Sequence, residues 1–90
     1  MKYLKRMSDP FINIYPTLDL HGSDRVYAVY KTKEFIEDNI KLNNKKIVII
    51  HGIGLGIIKK EIHKYLSSEK KVKTYKLYNN NIGVTIVELK

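Results

Sequence analysis

Two short stretches of the chain hold the side chains best able to do chemistry. The first contains Asp19, His21 and Gly22; the second runs from His51 through Gly52, Gly54 and Gly56 to Lys59 and Lys60. The imidazoles of His21 and His51 can exchange protons near neutral pH, and a carboxylate such as Asp19 can orient an imidazole or stabilise its cation. Glycines let backbone N–H groups approach an anion closely, and a helix that follows them adds its N-terminal dipole and unpaired donors. Lys59 and Lys60 place positive charge in the first turns of that helix. The catalytic candidates are therefore Asp19, His21 and His51, and the phosphate-binding candidates are Gly52, Gly54, Gly56, Lys59 and Lys60.

The surrounding pattern predicts the elements that must position these residues. Residues 17–21 alternate, with Leu18 and Leu20 on one face and Thr17, Asp19 and His21 on the other, as in a short strand entered from Pro16. Gly22-Ser23-Asp24 reads as a turn ending in a helix N-cap, and a helix over 25–42 follows, carried by Val26, Val29, Tyr30, Lys33, Ile36 and Ile40. Asn43-Asn44 stops it. Residues 46–50 form a β-branched run without alternation, as expected of a strand buried on both faces. A second helix, with Ile58, Ile62, Tyr65 and Leu66, follows the glycine loop and ends near Ser67-Ser68. Residues 72–78 and 83–89 read as strands joined at Asn79-Asn80-Asn81, since asparagine tolerates the positive φ of a tight hairpin.

The resulting fold class is α/β, in the order β-α-β-α-β-β, with a mixed four-stranded sheet and two helices on one face. A right-handed βαβ unit makes its strands parallel, so the loops after both strands emerge on one edge. That edge collects Asp19, His21, His51 and the glycine loop, where open α/β sheets place their ligands.

Composition narrows the function. Ninety residues make one domain. Residues 1–16, with Lys2, Lys5 and Arg6, read as a basic N-terminal arm, and 17–90 as the domain proper. The absence of cysteine removes disulfides, thiolate zinc sites and cysteine nucleophiles. The longest apolar run, at 47–50, is far too short to span a bilayer, so no membrane partner is expected and the expected compartment is the cytoplasm. A net charge of +8 favours phosphate-rich partners, although an excess of Lys, Ile and Asn also fits a compositional bias.

The segment Leu18-Asp19-Leu20-His21-Gly22 resembles the LDLHG signature of the small MutS-related, or Smr, domain. His51-Gly52-Ile53-Gly54-Leu55-Gly56 resembles that family's HGxGxG loop, and Gly83-Val84-Thr85-Ile86-Val87 its closing GxTxV strand. The three motifs occur in the family's order across residues 17–90. The resemblance implies a two-layer sandwich like the C-terminal domain of translation initiation factor three. It also implies nucleic-acid binding and, in many members, endonuclease activity on DNA or on messenger RNA at stalled ribosomes. By matching position, Asp19 and His21 are the catalytic pair, and His51, Gly52, Gly54 and Gly56 form the substrate-facing loop.

The expected function is thus an endonuclease acting on RNA by acid-base chemistry, with the ribosome as a possible associate. The alternative is a non-catalytic module that binds RNA, DNA or the ribosome. Ile53 and Leu55 depart from the polar residues common between the loop glycines, Lys59 replaces the usual arginine, and Asn80-Asn81 replaces a glycine pair. Family members often carry ATPase, ubiquitin-binding or repeat modules; none lies within these residues, which fits a free-standing domain.

A dinucleotide-binding loop is disfavoured because the third glycine of G-x-G-x-x-G falls on Ile57, and there is no P-loop motif. No cofactor is indicated. Asp19, His21 and His51 lack a metal-ligand spacing signature, which leaves divalent-ion assistance open, and His63 reads as a solvent-facing or packing residue of the second helix. Oligomeric state has no sequence signal.

Overall fold

The computed structural model describes residues 14–90, so the basic arm lies outside the described residues as far as residue 13. The elements follow in the order β1 (Thr17–Asp19), α1 (Arg25–Lys41), β2 (Lys46–Ile50), α2 (Ile57–Ser68), β3 (Val72–Tyr78) and β4 (Asn81–Leu89). They form a mixed four-stranded sheet in the order β1-β2-β4-β3. β1 runs parallel to β2, with Asp19 opposite Ile50, and β4 is antiparallel to both β2 and β3. β2 and β4 are the central strands, which explains why 46–50 lacks alternation. Ile47 and Ile49 face the helices while Val48 is equally buried on the other face.

Both helices cover the same face. Ala28 and Ile36 from α1, and Ile62 and Leu66 from α2, pack with Leu20, Ile47, Ile49, Val72, Val87 and Leu89 in one core. On the opposite face Val48, Val84 and Ile86 pack with Tyr15, Ile50 and Tyr78.

The buried stripe of α1 differs from the one its large apolar residues predict. Ala28, Thr32, Ile36 and Asn39 are buried, whereas Val26 and Tyr30 are exposed. Small Ala28 and Thr32 let the helix lie close to its neighbours. The polar members satisfy themselves locally: Thr32 Oγ1 donates to the Ala28 carbonyl at 2.8 Å, and Asn39 Nδ2 donates to the Phe35 carbonyl at 2.8 Å. Asp24 caps the helix by accepting the Tyr27 N–H at 2.8 Å.

Two strand limits also move. β1 ends at Asp19 rather than His21 because Gly22, at φ +81°, starts a turn closed by Ser23 N–H donating to the Leu20 carbonyl at 3.0 Å. β4 starts at Asn81, so the hairpin turn is shorter than 79–81.

Candidate active site at the carboxyl edge of the sheet

The parallel pairing of β1 with β2 brings Asp19 and His51 to the same edge, around a cleft of about 650 Å³. Asp19, His21, His51, Gly52, Gly54, Gly56 and Lys59 all line it. Lys60 does not; it is exposed on α2 beyond the rim.

Asp19 and His21 form a tight pair. One carboxylate oxygen, Oδ1, accepts the His21 backbone N–H at 3.1 Å and faces His21 Nδ1 at 2.6 Å. The Asp19 side chain is only 3% exposed, against 48% for His21. A carboxylate only accepts, so Nδ1 carries the proton and Nε2 is left as the working nitrogen of a half-exposed ring. The second oxygen, Asp19 Oδ2, is buried and has no hydrogen-bond partner among the described residues.

His51 sits differently. It is buried, its Nδ1 lies 2.9 Å from the Gly52 carbonyl, and its Nε2 lies 2.8 Å from Thr85 Oγ1. Burial, opposed by the Gly52 carbonyl and reinforced by nearby Lys59, lowers its pKa from the usual histidine value. Both ring nitrogens are thus engaged within the fold. The role of proton carrier suggested by its sequence position thus falls on a ring whose two nitrogens already have partners.

The glycine loop is shaped by backbone contacts. Gly52 and Gly56 have φ of +83° and +79°, a region that disfavours side chains. The Gly83 carbonyl accepts both the His51 and Gly52 N–H groups at 3.0 Å. A Cβ on Gly83 would lie 3.2 Å from the Gly52 carbonyl carbon, so any side chain there would press on the loop backbone. Two amides expected to face a phosphate are consequently unavailable: Gly52 N–H donates to Gly83, and Gly56 N–H donates to the Ile53 carbonyl at 3.1 Å. The donors that remain lie one step later. Gly56 caps α2 without a side-chain bond, so the first-turn amides at Ile57, Ile58 and Lys59 have no capping side chain. Ile53, Leu55 and Ile57 are exposed around them, giving the cleft an apolar rim.

Sequence reasoning missed His63 and Thr85. His63 Nε2 lies 2.7 Å from the same Thr85 Oγ1 that meets His51, and its ring packs edge-on against Tyr75 and His51. Burial, His51 and Lys59 lower its pKa. The available signals were a histidine one turn beyond Lys59 on α2 and a hydroxyl residue inside the apolar run of β4. Among the described residues no three His, Cys, Asp or Glu side chains gather as a metal-binding group.

Comparison with known proteins places this architecture. A family model of the Smr domain matches residues 18–90. Endonuclease MutS2 of Clostridium tetani is 38% identical over 76 residues, covering 81% of this chain and 10% of that protein. Endonuclease MutS2 of Brevibacillus brevis is 36% identical over 90 residues, covering 97% and 11%. The chain therefore spans about a tenth of the length of these relatives. Among solved structures, the Smr domain of Thermus thermophilus MutS2 superposes with a TM-score of 0.81 at 24% identity, covering 83% of this chain and 98% of that one. YdaL, a stand-alone small MutS-related protein from Escherichia coli, superposes at 0.79 with 20% identity, covering 94% and 70%. With the family model matching nearly the whole domain and relatives above 30% identity covering most of the chain, the chain belongs to the Smr domain family.

Proposed function

We propose that this Smr domain binds RNA across the cleft and cleaves it by proton transfer through His21. The observation that carries the reading is the 2.6 Å contact between Asp19 Oδ1 and His21 Nδ1, which fixes the tautomer and leaves Nε2 to act as a base. His21 Nε2 removes the proton of the 2′-hydroxyl, the 2′-oxygen bonds to phosphorus, and the bond to the 5′-oxygen breaks as water protonates the leaving oxygen. The Lys59 ammonium and the first-turn amides of α2 meet the charge that accumulates on phosphate. The endonuclease name of the MutS2 relatives supports a nuclease reading, and the net charge of +8 supports a nucleic-acid partner.

The test is incubation of purified protein with a labelled RNA, and with the same strand lacking 2′-hydroxyls, in a chelator. Cleavage of the RNA alone, with 2′,3′-cyclic phosphate ends, is expected. Cleavage of both strands, or activity that appears only when a divalent ion is restored, overturns this mechanism. Binding of both strands without cleavage supports the non-catalytic alternative.

A further inference from the structure

We propose that Thr85 and His63 are positioning residues: a one-way hydrogen-bond chain from His63 through Thr85 to His51 holds the glycine loop by its Gly52 carbonyl. The direction follows from donor and acceptor counting. The Gly52 carbonyl can only accept, so His51 Nδ1, at 2.9 Å, must carry a proton. With His51 neutral, its Nε2 is a lone pair, and the Thr85 hydroxyl 2.8 Å away must donate to it. A hydroxyl has one proton, so His63 Nε2, at 2.7 Å, can only be a donor to the Thr85 oxygen. The chain therefore reads His63 Nε2–H to Thr85 Oγ1–H to His51 Nε2, and His51 Nδ1–H to the Gly52 carbonyl. Three elements, α2, β4 and the loop after β2, are locked to each other by three hydrogen bonds of fixed direction rather than by apolar contact alone.

The geometry explains features that a packing role leaves idle. Thr85 is fully buried on the helix-facing side of a central strand, where an aliphatic residue would suit the core. Its hydroxyl instead joins residues 22 and 34 positions away in the chain. At the other end, the Gly52 peptide is held from both sides: its N–H donates to Gly83 and its carbonyl accepts from His51. Gly52 also lies against His21, since a Cβ on it would meet His21 Cβ at 3.4 Å. Fixing this peptide fixes the backbone that lies against the base of the His21 side chain. The groups whose charge or ring reaches the imidazole pair are Lys59 on α2 and Tyr75 on β3, besides each other. Burial and Lys59 both oppose protonation of the pair, favouring the neutral state that the one-way chain requires.

The inference deepens the reading of the cleft as the working site, but its primary readout does not depend on activity. Long-range proton–nitrogen correlation spectra of the 15N-labelled full chain at pH 8 should show His51 with its proton on Nδ1 and His63 with its proton on Nε2. A proton on His51 Nε2, or rapid averaging of its two tautomers, overturns the proposal whether or not the protein cleaves RNA. Thr85→Val keeps the shape and removes the hydroxyl. It is expected to release the His51 tautomer, speed amide exchange at Gly52 and lower RNA cleavage by roughly tenfold. Thr85→Ser should restore all three to near the parent values. If Thr85→Val retains the His51 tautomer and loop protection, the chain is not what holds the loop. If Thr85→Val fails to fold, the parent spectra and Thr85→Ser decide alone.

Discussion

At the scale of single residues, the spacing of Asp19 and His21 suggested one shared side of a strand, but β1 ends at Asp19 and His21 meets the carboxylate from the turn that follows, through its N–H and Nδ1. The distinction between His21 and His51 was not foreseeable. Both follow strands at the same edge, yet one ring is half exposed beside a carboxylate and the other is buried with both nitrogens engaged. The partners that decide this, Thr85 and Gly52, act through a strand distant in sequence and through a backbone carbonyl that no residue pattern reports. The glycines were legible as loop formers, but not which amides would face inward. Gly83 offers a direct check: Gly83→Ala places a methyl 3.2–3.3 Å from Gly52 backbone atoms, which can yield only by moving the loop. It is expected to destabilise the fold by about 1–3 kcal/mol in urea melts and to weaken RNA binding. Unchanged stability and binding would show that the close approach of β4 to the loop is dispensable.

At the scale of elements, β2, α2 and β3 follow the sequence pattern closely because each combines a sharp boundary with a strong apolar signal. The face of α1 does not. Its large residues suggested a stripe through Val26 and Tyr30, but the helix buries Ala28, Thr32 and Asn39, whose polar groups bond to the helix itself or its C-terminal turn. Such local satisfaction makes a polar residue acceptable in a core, and hydropathy alone does not register it. The order of strands depends on where β4 inserts, a long-range choice. The elements differ in what they contribute to stability. Leu66→Ala, at a fully buried position in α2, is expected to cost about 2–5 kcal/mol. Asp24→Ala removes only the N-cap of α1 and should cost about 1 kcal/mol. Denaturant titration of the two variants checks the order, and equal losses would contradict this division between core and cap.

At the scale of the whole molecule, the fold buries His51 and half-buries His63, which disfavours their protonated forms, and stability should therefore depend on pH. The pKa of both His51 and His63 is lowered by folding, so below about pH 6.5 the unfolded chain binds protons that the folded chain resists. Their contribution is complete above that value and is lost as pH falls toward the lowered folded values. Glu69 and Glu88 are also lowered, by hydrogen bonds from Tyr65 and Thr74 respectively, but their effect is lost in a more acidic window, below the ordinary glutamate range. The midpoint of thermal unfolding should accordingly fall between pH 7 and pH 5, and His51→Gln should flatten that part of the profile. A parent midpoint that is level across this range would contradict the burial of neutral imidazoles. Among the described residues no helix is long and apolar enough to cross a membrane.

The catalytic role proposed for the Asp19–His21 pair is tested most directly by measuring single-turnover RNA cleavage and RNA binding side by side for the parent and His21→Ala. General acid-base groups act mainly in the transition state, so the rate should fall by about 10² to 10⁴ while affinity stays within a few-fold of the parent. A His21→Ala protein that cleaves at the parent rate, or one that loses binding in proportion to rate, would contradict the assignment of His21 as the proton carrier.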